Sequence, residues 1–196
     1  NDNTPAPNPY ILNKRLPEDI SIFEVIPMHD RAHARYDARE RTYDYFIHRQ
    51  KIASLAQTSS WIDAPELDIA AIQSALSALV GKHDFRAYCK VPDRHDHTVC
   101  NLQSVQLWTS EDEQFLRFQF VGNRYLRGMI RLLVGNLIEV GKGKQSPELF
   151  IERLENRITP PFANYAPPQG LYLSGVRYDY LEVPLVPPPP PGVILR

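Results

Sequence analysis

Arg124, Arg127 and Arg131 recur at i, i+3 and i+7 in the run NRYLRGMIRLLVGNLIEVGKGK, Asn123 to Lys144. At helical period they form one stripe, bordered by Gly128, Val134, Gly135 and Ile138 rather than by the Glu, Lys and Gln of a solvated face. An arginine in such surroundings is either an ordinary side chain snorkelling over apolar surface or, at Arg131, a cation in a partly dry cleft facing an anion or a carboxylate. Each interior glycine costs roughly 1 kcal/mol of helix stability relative to Ala, so the pair asks for close approach of another backbone or a ligand. A second set of candidates lies upstream. In TYDYFIH, Thr42 to His48, alternation puts Tyr43, Tyr45 and Ile47 on one strand face. Tyr43 there is either sheet core or an aromatic platform for a base. The polar loop before it carries His33 and Arg35, which read equally as phosphate contacts or as a solvated basic loop.

Other chemistries find less support. Cys89, His95, His97 and Cys100 lack the paired C-x2-C or H-x3-H spacing of a zinc site, so no metal is expected. There is no G-x-S-x-G elbow, no phosphate-binding loop and no G-x-G-x-x-G, which argues against serine hydrolysis and nucleotide cofactors.

The elements that must position these residues follow from periodicity. Strands are expected at Asp19 to Ile26, Thr42 to His48 and, short, at Thr58 to Ile62. A helix is expected from Asp68, its N-cap, to Val80, with Ile69, Ile72, Leu76 and Leu79 as its core stripe and Gly81 as its stop. Thr98 to Thr109 and Gln114 to Val121 make a hairpin around a polar turn. The arginine helix follows, with Leu126, Met129, Leu133, Leu137 and Val140 inward, then a short helix from Ser146-Pro147 to about Arg157. Leu171 to Tyr180 reads as a closing strand. This order predicts an α+β fold with an antiparallel sheet and helices packed on one face.

The 196 residues, 43% of them hydrophobic, suit one domain with tails. The expected division is a loop or frayed segment at 1–15, the α+β domain at 16–180 and a Pro-rich tail at 181–196, with a five-proline run at Pro187 to Pro191. A net charge of −1 excludes a uniformly basic coat, yet cations cluster locally at Arg31 to Lys51 and at Arg124 to Lys144. Two cysteines and no apolar run of membrane-spanning length are read as free thiols in a reducing cytoplasm, away from any membrane.

Five separated segments share one order with a known family. LPEDI (Leu16 to Ile20), HARYDARERTYDYFI (His33 to Ile47), GKHDF (Gly81 to Phe85), RGMIRLLVGNLIEVGKGK and GLYLSGVRYDY resemble tRNA pseudouridine synthase A across roughly Leu16 to Tyr180. The resemblance implies isomerisation of uridine to pseudouridine in the anticodon arm of tRNA, without a cofactor, by a homodimer. In that family an Asp attacks the flipped nucleotide, a Tyr stacks on the base and an Arg pairs with the Asp. Tyr43 and Arg131 match the Tyr and the Arg. Ala32, His33, Ala34, Arg35, Tyr36 and Arg41, with Arg94, His95 and His97, match tRNA-contacting segments. The R-T-D-x-G-V-H-A motif that carries the nucleophile is absent, and Asp30 in HDRAHAR belongs to the basic loop instead. The chain is therefore expected to be the C-terminal part of such an enzyme, inactive by itself. His97-Thr98 stands where Arg-Thr is usual in the family. The alternative is a non-catalytic RNA-binding module.

Overall fold

The computed structural model describes residues 7–181. It divides into two compact units, Asn1–Asp37 and Ala38–Arg196. The polyproline run lies outside the described residues.

In the first unit, a single short helix, α1 (Pro9–Asn13), is N-capped by Asn8, whose side chain accepts from the Tyr10 N–H at 2.9 Å. The strand expected at Asp19 to Ile26 does not form. Alternation makes a strand only where a second strand offers a ladder. Here Ile22 instead exchanges two hydrogen bonds with the side-chain amide of Asn13, each 2.7 Å.

The second unit contains β1 (Ala38–His48), β2 (Ser60–Trp61), α2 (Ile69–Ser77), β3 (Gly81–Asp84), β4 (Val99–Thr109), β5 (Phe115–Gly122), α3 (Met129–Gly141), α4 (Pro147–Glu155) and β6 (Leu171–Tyr178). The sheet runs β2-β1-β5-β4-β3, and β6 pairs with β1. Pairing is antiparallel except for two-residue β2, which runs parallel to the end of β1. Helices α2, α3 and α4 pack on the face that presents Tyr45, Ile47, Leu116, Phe118 and Phe120, and their stripes of Ile72, Leu76, Leu133, Leu137 and Phe150 close the core. The class is the α+β one that the periodicities predict.

Two boundaries matter for the site. β1 begins earlier than the alternation suggests, because β6 extends the ladder to Ala38. It is buried on both faces from Asp44 to His48. Asp44 and Phe46, on the side away from the helices, are covered by Arg117, which pairs with Asp44 at 2.8 Å, and by Tyr172, whose ring lies 5.5 Å from that of Phe46. Helix α3, in turn, starts only at Met129. Gly128 precedes it with φ of 76°, a left-handed conformation that breaks helical continuity. Arg124 and Arg127 therefore lie before the helix, and of the expected three-arginine stripe only Arg131 is helical.

Candidate active site

Strand alternation sets Tyr43 on the same face as Tyr45, beneath the helical layer. Tyr43 is half-buried, its ring edge-to-face against Tyr125 with centroids 4.9 Å apart. The Tyr125 hydroxyl donates to the Arg41 carbonyl at 3.3 Å, and burial, reinforced by the neighbouring Tyr43, pushes it far above the ordinary tyrosine range. Tyr45 is fully buried. Its hydroxyl donates to the Pro167 carbonyl at 2.5 Å and meets the Ser60 hydroxyl at 2.8 Å. Burial raises its pKa to about 12, against the opposing pull of the Ser60 bond and the positive charge of Arg131.

Arg131 is half-buried in the first turn of α3. Its Nε donates to the Ala166 carbonyl at 2.6 Å, and its guanidinium carbon lies 5.5 Å from the centre of the Tyr165 ring. Among the described residues no carboxylate pairs with it, while Arg39, Arg49, Arg86, Arg117, Arg157 and Arg177 each have one. No hydrogen bond or ring contact joins Tyr43 to Arg131; each is held by its own neighbours.

Gly135, inside α3, and Gly128, just before it, have a neighbour the sequence does not announce. A Cβ at Gly135 would lie 1.9 Å from the Asn164 carbonyl oxygen, and one at Gly128 would lie 3.1 Å from the Tyr165 ring. The expected close approach of a backbone is thus met by this chain's own loop before β6.

The other sequence candidates fall in two places. In the first unit, His33, Ala34, Arg35 and Tyr36 are exposed and Ala32 is half-buried. The His33 N–H donates to the Asp37 carboxylate at 2.7 Å, while His33 Nδ1 accepts from the Arg35 and Tyr36 amides, both at 3.2 Å. These bonds fold the basic segment into a tight turn. In the second unit, Arg41 is half-buried and donates to the carbonyls of Ala38 at 3.0 Å and Asn123 at 2.8 Å. Arg94 and His97 are exposed and His95 half-buried on the turn between β3 and β4. Asp84 braces that turn, accepting from the Arg86 amide at 3.1 Å, from the Thr98 hydroxyl and from Arg157 Nε at 3.0 Å. His97 Nε2 stands 2.8 Å from Arg124 Nη1. A guanidinium only donates, so in this contact the ring nitrogen is the acceptor. Cys89 and Cys100 are buried thiols, and burial pushes Cys100 up to about 11. Among the described residues no group of three His, Cys, Asp or Glu side chains is placed to hold a metal ion.

Residues 75–179 match the family model described as tRNA pseudouridine synthase. The chain belongs to the tRNA pseudouridine synthase family. It is 39% identical to a tRNA pseudouridine synthase A of Nitrosomonas europaea, the match covering 85% of this chain and 61% of that protein. It is 35% identical to one of Bacteroides fragilis, covering 85% and 66%. It is 34% identical to a tRNA pseudouridine synthase A 1 of Bacillus cereus, covering 86% and 68%. The chain thus spans between three-fifths and two-thirds of the length of the first two relatives.

What sequence reasoning missed around the two candidate residues is Tyr165 and Ala166, which hold Arg131, and Tyr125, which supports Tyr43. Gly135, one helical turn after Arg131, was the available signal: it marks where the loop crosses.

Proposed function

We propose that this chain is part of a tRNA pseudouridine synthase that isomerises uridine in the anticodon arm of tRNA, and that it supplies Tyr43 as the base-stacking aromatic and Arg131 as the partner of a catalytic Asp lying outside the chain. The observation that carries the reading is the state of Arg131. Its guanidinium sits half-buried with one N–H given to a neutral carbonyl and no carboxylate beside it among the described residues. A guanidinium carries five donors in a planar fork suited to a carboxylate. A fixed cation of this kind keeps an attacking carboxylate ionised in a dry pocket.

The reaction breaks and remakes a glycosidic bond, so the target nucleotide must leave the stack and be held by an aromatic face. Tyr43, on a rigid central strand and supported by Tyr125, suits that task. No cofactor is needed. Exposed cations and imidazoles at His33, Arg35, Arg94 and His97, with Ala32, Ala34, Tyr36, Arg41 and His95 beside them, serve as the tRNA contacts. On this reading the whole protein is a cytoplasmic homodimer; among the described residues no helix is long and apolar enough to cross a membrane.

The test is tritium release from uridine-labelled tRNA. This chain alone is expected to release none, and the full-length protein is expected to lose roughly 100-fold or more in kcat on Arg131→Ala, the scale of removing one preorganised charge-stabilising donor. Turnover by the chain alone, or an unaffected Arg131→Ala, refutes the assignment. Salt-dependent tRNA binding by a full-length protein that never turns over would leave the RNA-binding module in its place.

A further inference from the structure

Arg131 is held from two directions by one short loop. The Ala166 carbonyl accepts from Arg131 Nε at 2.6 Å, and the Ala166 amide donates back to the Arg131 carbonyl at 2.9 Å. Between these bonds and the start of α3, the half-buried Tyr165 ring spans from Gly128 to the guanidinium, 5.5 Å from its centre. Lys90 Nζ lies 6.0 Å from the same centre. The loop can lie this close only because residue 135 has no side chain, its virtual Cβ falling 1.9 Å from the Asn164 oxygen.

An arginine side chain has many rotamers, and the function proposed for Arg131 depends on its fork facing one way. The bond to Ala166 uses Nε, the inner nitrogen. The two outer nitrogens, with four N–H groups, have no acceptor among the described residues. A planar cation against an aromatic ring has its orientation restricted as well as its charge stabilised.

We infer that Tyr165 is a positioning residue: its ring, with the Ala166 carbonyl, fixes the Arg131 guanidinium so that the outer nitrogens present themselves to the reacting carboxylate. The inference rests on the reading of Arg131 given above. Tyr165 acts through Arg131, and its hydroxyl has no part in this role.

The experiment compares Tyr165→Phe, Tyr165→Leu and Arg131→Ala in the full-length protein carrying this chain, by tritium release from uridine-labelled tRNA, together with the Arg131 Nε–H resonance in the chain itself. Tyr165→Leu is expected to lower kcat by about 2- to 30-fold, the range of a cation–π contact from exposed to desolvated, with KM for tRNA changed less than about twofold. Tyr165→Phe is expected to restore kcat. The Nε–H signal is expected to be ring-shifted and slow to exchange in the parent and in Tyr165→Phe, and to lose both properties in Tyr165→Leu. Tyr165→Met, similar in bulk without a ring, replaces the Leu variant if that one melts below assay temperature. Unchanged kcat in the ring-less variant beside a dead Arg131→Ala overturns the inference and leaves the reading of Arg131 standing. An active Arg131→Ala overturns both.

Discussion

Replacing Gly135 with Ala tests the docking of the loop on α3 with a predicted sign opposite to the naive one. Gly135 is interior to a 13-residue helix, and its backbone is ordinary helix, so propensity alone says that Ala should stabilise the protein by about 1 kcal/mol. The surroundings say otherwise. The added Cβ would sit 1.9 Å from the Asn164 carbonyl oxygen and 2.8 Å from its carbon. Those are backbone atoms, so no change of rotamer relieves the clash and the loop must lift. Lifting it breaks the charged bond from Arg131 to Ala166, worth about 1.5–3 kcal/mol, and the returning amide bond, worth about 1 kcal/mol. The contact of Arg131 with Tyr165 adds about 0.5–1 kcal/mol. Set against the propensity gain, the net loss is about 2–4 kcal/mol. With an m-value of about 2 kcal/mol/M, the urea midpoint should fall by about 1–2 M at unchanged slope. A variant as stable as the parent, or more stable, would show that the loop does not rest on Gly135.

Two further outcomes are expected. Arg117→Leu leaves the fully buried Asp44 without its cation and should cost about 3–5 kcal/mol in urea unfolding, while adding Asp44→Asn should recover much of that loss; equal losses in the single and double variants would refute the pairing. Burial holds the His48 imidazole below its ordinary 6.5, so the unfolded chain binds more protons than the folded one as pH falls through the window between 6.5 and the depressed folded value. Stability should therefore drop on acidification through that window and level off below it, and His48→Gln should flatten that part of a pH series of urea midpoints.

The parts of the fold legible in the sequence are those where a local period answers to a local cause. The β4–β5 hairpin, α2 with its Asp68 cap, α4 with its Ser146 cap and the inward stripe of α3 all form close to where periodicity puts them. The failures share a different cause. DISIFEVI alternates like a strand but has no ladder partner among the described residues, and Gly81–Asp84, too short to show a period, becomes β3 because β4 runs beside it. Pairing is a property of two segments, so one segment's pattern can neither guarantee nor exclude it. The early start of β1 at Ala38 is likewise β6's doing.

The site divides along the same line. Tyr43 and Arg131 can be nominated from their types and settings, since a tyrosine on a strand face and an arginine among glycines and apolar residues are both visible one-dimensionally. Their supports are not. Tyr165 sits in a Pro-rich stretch with no periodicity, 34 residues from the arginine it faces, and nothing in ANYAPP distinguishes its ring from any loop tyrosine. Only the price of a glycine at 135, inside α3, hints that something must lie against the helix. Sequence can thus show that a space is required without saying which segment fills it. Here the occupant is the chain's own loop, so Gly135 leaves its face of the helix to residues 164–166 rather than to a second segment. With Nε given to the Ala166 carbonyl, the nitrogens left to meet a carboxylate are the two outer ones, and on the proposed function a catalytic aspartate pairs with Arg131 there.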